Sequence, residues 1–208
     1  MTSTELFIKN IESFGYSVSE LGFSPGASEE QISEVENLIQ HTLPYDYKCF
    51  LQNINGQHSD KFYFLPDEAL LFSCEEIINS YKGQIEYFDD GIEFYDKYQF
   101  NNKIRSNIWS ASRVPIAGRD GYYLSLDFDP GPNGTIGQVI FLINECDFVV
   151  LAPGFKDFLN KYNELINNKT LQIREILTGK HSHYRLTNDS DFLNGQAFAK
   201  LFGQNGAI

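Results

Sequence analysis

Apolar residues recur at helical spacing through the first half of the chain. Leu6, Phe7, Ile11 and Phe14 share one face and predict a helix over residues 4–14, ended by Gly15. After the loop GFSPGAS, Ser28-Glu29-Glu30-Gln31 has the form of a capping box. The Ser28 hydroxyl closes the helix start and Gln31 reaches back to it. Ile32, Val35, Leu38 and Ile39 then follow at helical spacing. Leu43-Pro44 interrupts that helix, and Pro44, which has no N–H to satisfy, can be the first residue of the next. Tyr47, Phe50, Leu51 and Ile54 form the apolar face of this third helix, and Asn55-Gly56 is expected to stop it. Phe62 to Leu65 reads as a short strand. Ser73-Cys74-Glu75-Glu76 is a second capping box, opening a helix through Ile77, Ile78, Tyr81 and Ile85.

The period changes after residue 113. Val114 to Ala117 is one candidate strand, and Tyr122, Leu124, Leu126 and Phe128 alternate with Tyr123, Ser125 and Asp127 in the second. Gly137 to Ile143 and Phe148 to Leu151 supply two more. Phe155, Phe158, Leu159, Tyr162, Leu165 and Ile166 then form an amphipathic helix. The expected class is α+β: a central, mainly antiparallel sheet flanked by N-terminal helices and a closing C-terminal helix. We divide the chain into an N-terminal helix and loop (1–25), a central domain (26–165) and a C-terminal extension (166–208). The extension is polar and weakly patterned beyond about residue 178 and is expected to pack on the domain or trail loosely from it. The run EYFDDGIEFYDKYQF, residues 86–100, fits neither period.

Composition narrows the function. A chain of 208 residues with 42% hydrophobic content, 18 Phe and 12 Tyr can bury a proper core. The net charge of −12 argues against nucleic acid as partner, because phosphate binding needs clustered Lys and Arg. Residues 67–96 hold nine carboxylates and a single base, Lys82, an imbalance that suits either a basic partner or simple solubility. No apolar run is long enough for a membrane helix, and MTSTELFIKNIESF has no signal-peptide pattern. Cys49, Cys74 and Cys146 are widely spaced and form no CxxC, as expected of free thiols in a reducing cytoplasm.

Candidate chemistry centres on DFDPGPNGTIGQVI, residues 127–140. Asp127 and Asp129 match the first positions of a calcium loop, but Gly131 stands where a ligand belongs. Gln138, at position twelve, cannot supply the bidentate carboxylate. Residues two apart on a strand share a face about 7 Å apart, so a catalytic carboxylate pair is conceivable. No histidine, cysteine or third acid lies nearby in sequence to separate their pKa values. The preferred reading is a strand connection in which Pro130, Gly131, Asn133 and Gly134 do turn chemistry. His41, His58, His181 and His183 do not converge in sequence as zinc ligands, and no nucleotide-loop, nucleophile-elbow or zinc-protease motif occurs. We therefore expect no catalytic residue, no metal and no cofactor. Trp109, the one tryptophan, reads as a core or edge anchor, with an interface role as the competitor.

Two blocks together resemble a known family. In S28EEQISEVENLIQHTLPYDYKCFLQNING56, an acidic helix start is followed by Ile32 and Glu36, then Leu43-Pro44, Tyr47, Phe50 and Leu51, and finally Asn55-Gly56. In the second block, Trp109, Pro115, Ile116, Ala117 and Gly121 precede Leu126-Asp127-Phe128-Asp129-Pro130. Gly134, Gly137, Gln138 and Val139 come next, with Ala152, Phe155, Phe158 and Leu159 closing. In this order they resemble the signature of the SUKH superfamily, which contains the fungal Smi/Knr cell-wall-assembly regulators and many bacterial immunity proteins. The resemblance covers residues 26–162. It implies an α+β fold and a non-enzymatic binding role, in bacteria often neutralisation of a cognate toxin, frequently a nuclease or deaminase. The alternative is a regulatory or scaffold module of the cell-wall-regulator kind.

The expected partner is a protein, with a basic toxin domain the leading candidate, bound by a cytoplasmic monomer or weak dimer. The contact is expected at Asp89, Asp90, Glu93 and Asp96, interleaved with Phe94 and Tyr95. Carboxylates steer a basic partner, while aromatics supply desolvated anchors. The competing reading is a solvated acidic loop whose aromatics tuck into the core.

Overall fold

A computed structural model describes residues 1–59, 61–66, 68–86, 93–99, 102–178, 181–187 and 193–203. The side chains of 93–99, 176–178, 181–183, 185 and 186 lie outside that description. The helices are α1 (Ser3–Glu12), α2 (Glu29–Ile39), α3 (Tyr45–Leu51), α4 (Cys74–Ile85), α5 (Phe155–Asn167) and α6 (Gly195–Leu201). Three of them begin where the sequence supplies both halves of a capping box. Ser28 with Gln31 opens α2 and Ser73 with Glu76 opens α4, as read from the sequence. Thr2 with Glu5 opens α1, a pairing the sequence reading passed over. Each box satisfies two backbone donors that the helix itself leaves unpaired.

The strands are β1 (Phe23–Pro25), β2 (Ile54–Gln57), β3 (Phe62–Tyr63), β4 (Leu70–Leu71), β5 (Glu93–Gln99), β6 (Ile104–Asn107), β7 (Arg113–Arg119), β8 (Tyr122–Asp127), β9 (Gln138–Ile143), β10 (Asp147–Ala152), β11 (Gln172–Thr178) and β12 (His181–Thr187). The largest sheet runs in the order β10-β9-β8-β7-β4, antiparallel throughout. The region from 113 to 151 thus forms the expected sheet. Its register separates two sets of side chains. Leu124, Phe141 and Val149 align on one face; Tyr123, Leu142 and Phe148 align on the other. The first set joins the main core with α1, α3 and α5. The second joins Ile104, Ile140 and Val150 in a smaller cluster edged by Ile108 and Trp109. Both faces are covered, which is why β9 reads QVIFLI without a polar alternation.

Aromatic rings fill the main core. Phe7 lies 5.7 to 6.1 Å from the rings of Phe23, Phe50, Phe64 and Tyr162. The Tyr162 hydroxyl donates to the Phe64 carbonyl at 2.8 Å, so the polar end of the largest core ring is satisfied.

The structure departs from the sequence reading in three places. Pro44 is the cap of α3, extended at φ −54° and ψ 139°, and the helix begins at Tyr45. That helix ends at Leu51, and Ile54, Asn55 and Gly56 belong to β2. The Asn55 side-chain oxygen instead accepts from the Cys74 N–H at 2.8 Å, at the start of α4. Gly56 has φ +77°, and a Cβ there would stand 2.2 Å from the Ser73 nitrogen. Asn-Gly thus fastens β2 to α4, a long-range role that a local reading takes for a helix stop.

The third departure is the C-terminal extension. β11 pairs with β12, and β12 lies parallel to β3, Tyr184 against Phe62. Asn194 caps α6 through the Ala197 N–H, and Phe198 is 0% exposed. Its ring lies 6.1 Å from Phe141 and 4.9 Å from Phe202, which stacks on Phe158 at 5.3 Å. The described part of the extension therefore contributes to the core. A seven-residue helix carries too few apolar positions for its period to show in sequence. We expect Phe198→Ala to cost roughly 3–5 kcal/mol in urea denaturation. A loss below about 1 kcal/mol would mean that α6 is dispensable to the core.

Candidate functional site

The run at 127–140 is organised by a charge buried next to it. Arg113 opens β7 and is 4% exposed, and Asp127 ends β8 and is 0% exposed. The strands bring them into register, with Arg113 Nε 3.8 Å from Asp127 Oδ1. The guanidinium donates to the carbonyls of Arg105 at 2.6 Å, Ile108 at 3.3 Å and Asn107, and lies 4.6 Å from the centre of the Phe148 ring. Asp127 Oδ2 accepts from Gln138 Nε2 at 2.9 Å, and Oδ1 from the Asp129 N–H at 3.3 Å. Burial pushes the Asp127 pKa up and the Arg113 pKa down, and in each case the opposite charge of the partner works against that shift.

Asp129 turns the other way. It lies beyond the end of β8, where strand alternation no longer holds, and pairs with Arg105 at 2.9 Å on the surface. The two carboxylates do not share a face, contrary to the strand geometry considered for them. Between β8 and β9 the turn docks on residues 102–105. Gly131 N–H donates to Lys103 O at 2.9 Å, Asn133 N–H to Asn102 O at 3.1 Å, and Gln138 Nε2 to Lys103 O at 2.9 Å. A Cβ on Gly131 would meet Asn102 O at 2.2 Å, so this close approach needs glycine. The signature loop is a clamp that presses β6 and the following chain onto the outer face of the sheet.

The clamp positions Trp109. Its carbonyl accepts from Asn107 Nδ2 at 2.9 Å, and its ring stands edge-on to Tyr123 at 5.6 Å and 78°. Tyr81 of α4 donates to Ala111 O at 2.7 Å, tying the helix to the same stretch. Beside Trp109 opens a cavity of about 590 Å³ lined by Ser80, Gly83, Gln84, Glu86, Trp109, Tyr123 and Glu145. Glu145 sits in the β9–β10 turn at φ +54°. Its N–H donates to Gly121 O at 2.9 Å, and a Cβ on Gly121 would stand 3.0 Å from Glu145 Cγ. Burial, with Glu145 and Asp120 adding to it, raises the Tyr123 pKa. Trp109 therefore combines both expected roles in one half-buried ring: it edges the smaller cluster and also lines an open cavity.

Of the residues expected to contact a partner, Asp89 and Asp90 lie outside the described residues. Glu93, Phe94, Tyr95 and Asp96 fall in β5, whose backbone pairs with β6 (Glu93 against Asn107) and whose side chains are outside the description. The two blocks of the sequence resemblance meet in space. Leu43 and Phe155 are buried in the core, and a Cβ on Gly137 would lie 3.6 Å from Pro44 Cγ. Pro130 is half-buried in the clamp turn. Sequence reasoning missed Arg113, although a lone arginine heading an apolar strand was the available signal. It also missed Gln84 and Glu145, which nothing local distinguishes.

His41 stacks on Phe128 at 4.7 Å, and His58 Nδ1 lies 3.4 Å from Ser24 Oγ. Among the described residues, no three His, Cys, Asp or Glu side chains gather as metal ligands, and no helix is long and apolar enough to cross a membrane.

Comparison with family models matches residues 26–161 to the SMI1/KNR4 family (SUKH-1). The chain belongs to that family. No curated protein matches it. The SUKH-1 match contains the whole clamp (Arg113, Asp127, Gln138) and the acidic hairpin. It leaves out α1 and α6, both of which reach the same core. For this SUKH-1 chain we expect Asp127→Ala to cost about 3–5 kcal/mol, because it strands a buried guanidinium. Asp129→Asn should stay within about 0.5 kcal/mol, as its pair is exposed. Urea denaturation of both variants tests this contrast, and equal losses would show that the buried pair is not what holds the clamp.

Proposed function

We propose that this chain is a non-enzymatic binding protein: a cytoplasmic immunity protein, monomeric or weakly dimeric, that binds a cognate toxin domain and blocks its active site, with a nuclease as the leading candidate. The observation that carries this reading is the placement of negative charge on a SUKH-1 frame. Residues 67–96 carry nine carboxylates against Lys82 alone. Glu86, Asp120 and Glu145 are exposed on the structured side of that segment. A domain that binds and cuts nucleic acid presents a basic cleft to phosphate. An acidic inhibitor meets the same cleft with complementary potential and associates quickly. The resemblance to immunity proteins supports the same reading, and the family's regulator branch supplies the alternative, a scaffold module with an endogenous partner.

The gene should lie directly downstream of a large toxin gene, and co-expression with that toxin's C-terminal domain should restore growth. Death despite co-expression would refute the immunity role, and a neighbourhood of ordinary metabolic genes would favour the regulator. Replacing Asp89, Asp90, Glu93 and Asp96 by Asn or Gln should slow association with the toxin about tenfold and flatten its salt dependence. If rate and salt slope both hold in a folded variant, the contact lies elsewhere.

A further inference from the structure

Gln84, in the last turn of α4, is 8% exposed, and its side-chain Nε2 has no hydrogen-bond partner. A buried amide donor without an acceptor is disfavoured, so its position on the wall of the Trp109 cavity calls for an occupant that brings one. The rest of the wall specifies that occupant further. Trp109 and Tyr123 offer aromatic surface, and Glu86 and Glu145 offer two carboxylates that no cation pairs with among the described residues. The cavity, about 590 Å³, is large enough for a long side chain together with the peptide unit that carries it.

A π surface flanked by carboxylates selects a cation, and a neighbouring amide donor selects a carbonyl next to it. Lysine would bring a compact, strongly hydrated point charge. Arginine brings a planar, weakly hydrated fork that can stack on tryptophan while its N–H groups reach carboxylates. We propose that this cavity is the socket for an arginine of the protein partner. In it the guanidinium lies against Trp109 between Glu86 and Glu145, and a backbone carbonyl accepts from Gln84 Nε2. The inference rests on the reading of the chain as a binder of a basic protein, and it names the residue type that enters.

Trp109 is the chain's one tryptophan, so its fluorescence reports on this cavity alone. Titration with N-acetyl-arginine methylamide should give a saturable change with a Kd on the order of 1 mM, and the neutral citrulline analogue should bind at least about tenfold more weakly. Glu86→Gln and Glu145→Gln should each weaken arginine binding about threefold. Gln84→Leu should weaken the methylamide probe but not guanidinium chloride at millimolar concentration, which lacks the carbonyl. It should leave the urea midpoint equal or higher, since it removes an unpaired donor. The proposal is overturned by an unsaturable response, by equal binding of citrulline, by tighter binding of tetramethylammonium, or by a Gln84→Leu chain that unfolds at lower urea. Arginine binding in a chain with no toxin gene beside it would keep the socket and remove the immunity reading. A toxin neutralised equally by the Glu86→Gln/Glu145→Gln double variant, with no arginine binding, would do the reverse.

Discussion

The buried Arg113–Asp127 pair is the constraint on which the outer half of this molecule depends. Each charge is costly to bury alone, and the structure lowers that cost by giving each one several partners. Arg113 is shared among Asp127, the Phe148 ring and three carbonyls, and Asp127 is shared among Arg113, Gln138 and the Asp129 N–H. Removing any member leaves the others exposed to the full desolvation cost. The arrangement therefore favours one geometry for β6, the Trp109 segment and the signature turn together. Specificity of arrangement, more than stability, is what such a network supplies here.

The helical half was legible because its signals are local. A Ser and the Gln or Glu three residues on decide where α2 and α4 begin, whatever happens elsewhere in the chain. The β half was legible because alternation and turn residues survive burial on both faces. Residues whose partners are distant in sequence were hidden. Asn55-Gly56 looks like a helix stop until Cys74 and Ser73 are brought beside it. Phe198 looks like a residue of a polar tail until Phe141 and Phe158 define the gap it shares with Phe202.

The same distinction divides the candidate site. Trp109 could be picked out by residue type, and Asp127, Gly137 and Gln138 by their pattern. Their function as a clamp depends on Arg113 and on the chain at 102–105, which no motif announces. The cavity wall is assembled from a helix end, a segment after β6, a strand and a hairpin turn, so its chemistry exists only once the tertiary structure does.

The clamp takes hold almost wholly of main-chain oxygens: those of Asn102, Lys103, Arg105, Asn107 and Ile108. A carbonyl is present whatever side chain the residue bears. The hairpin can therefore exchange its outward residues without loosening its attachment, much as a type slug can be replaced in a fixed forme. Diversification of recognition is uncoupled from the integrity of the scaffold, and a lineage under pressure from changing adversaries can rewrite its contact surface without having to refold the protein beneath it.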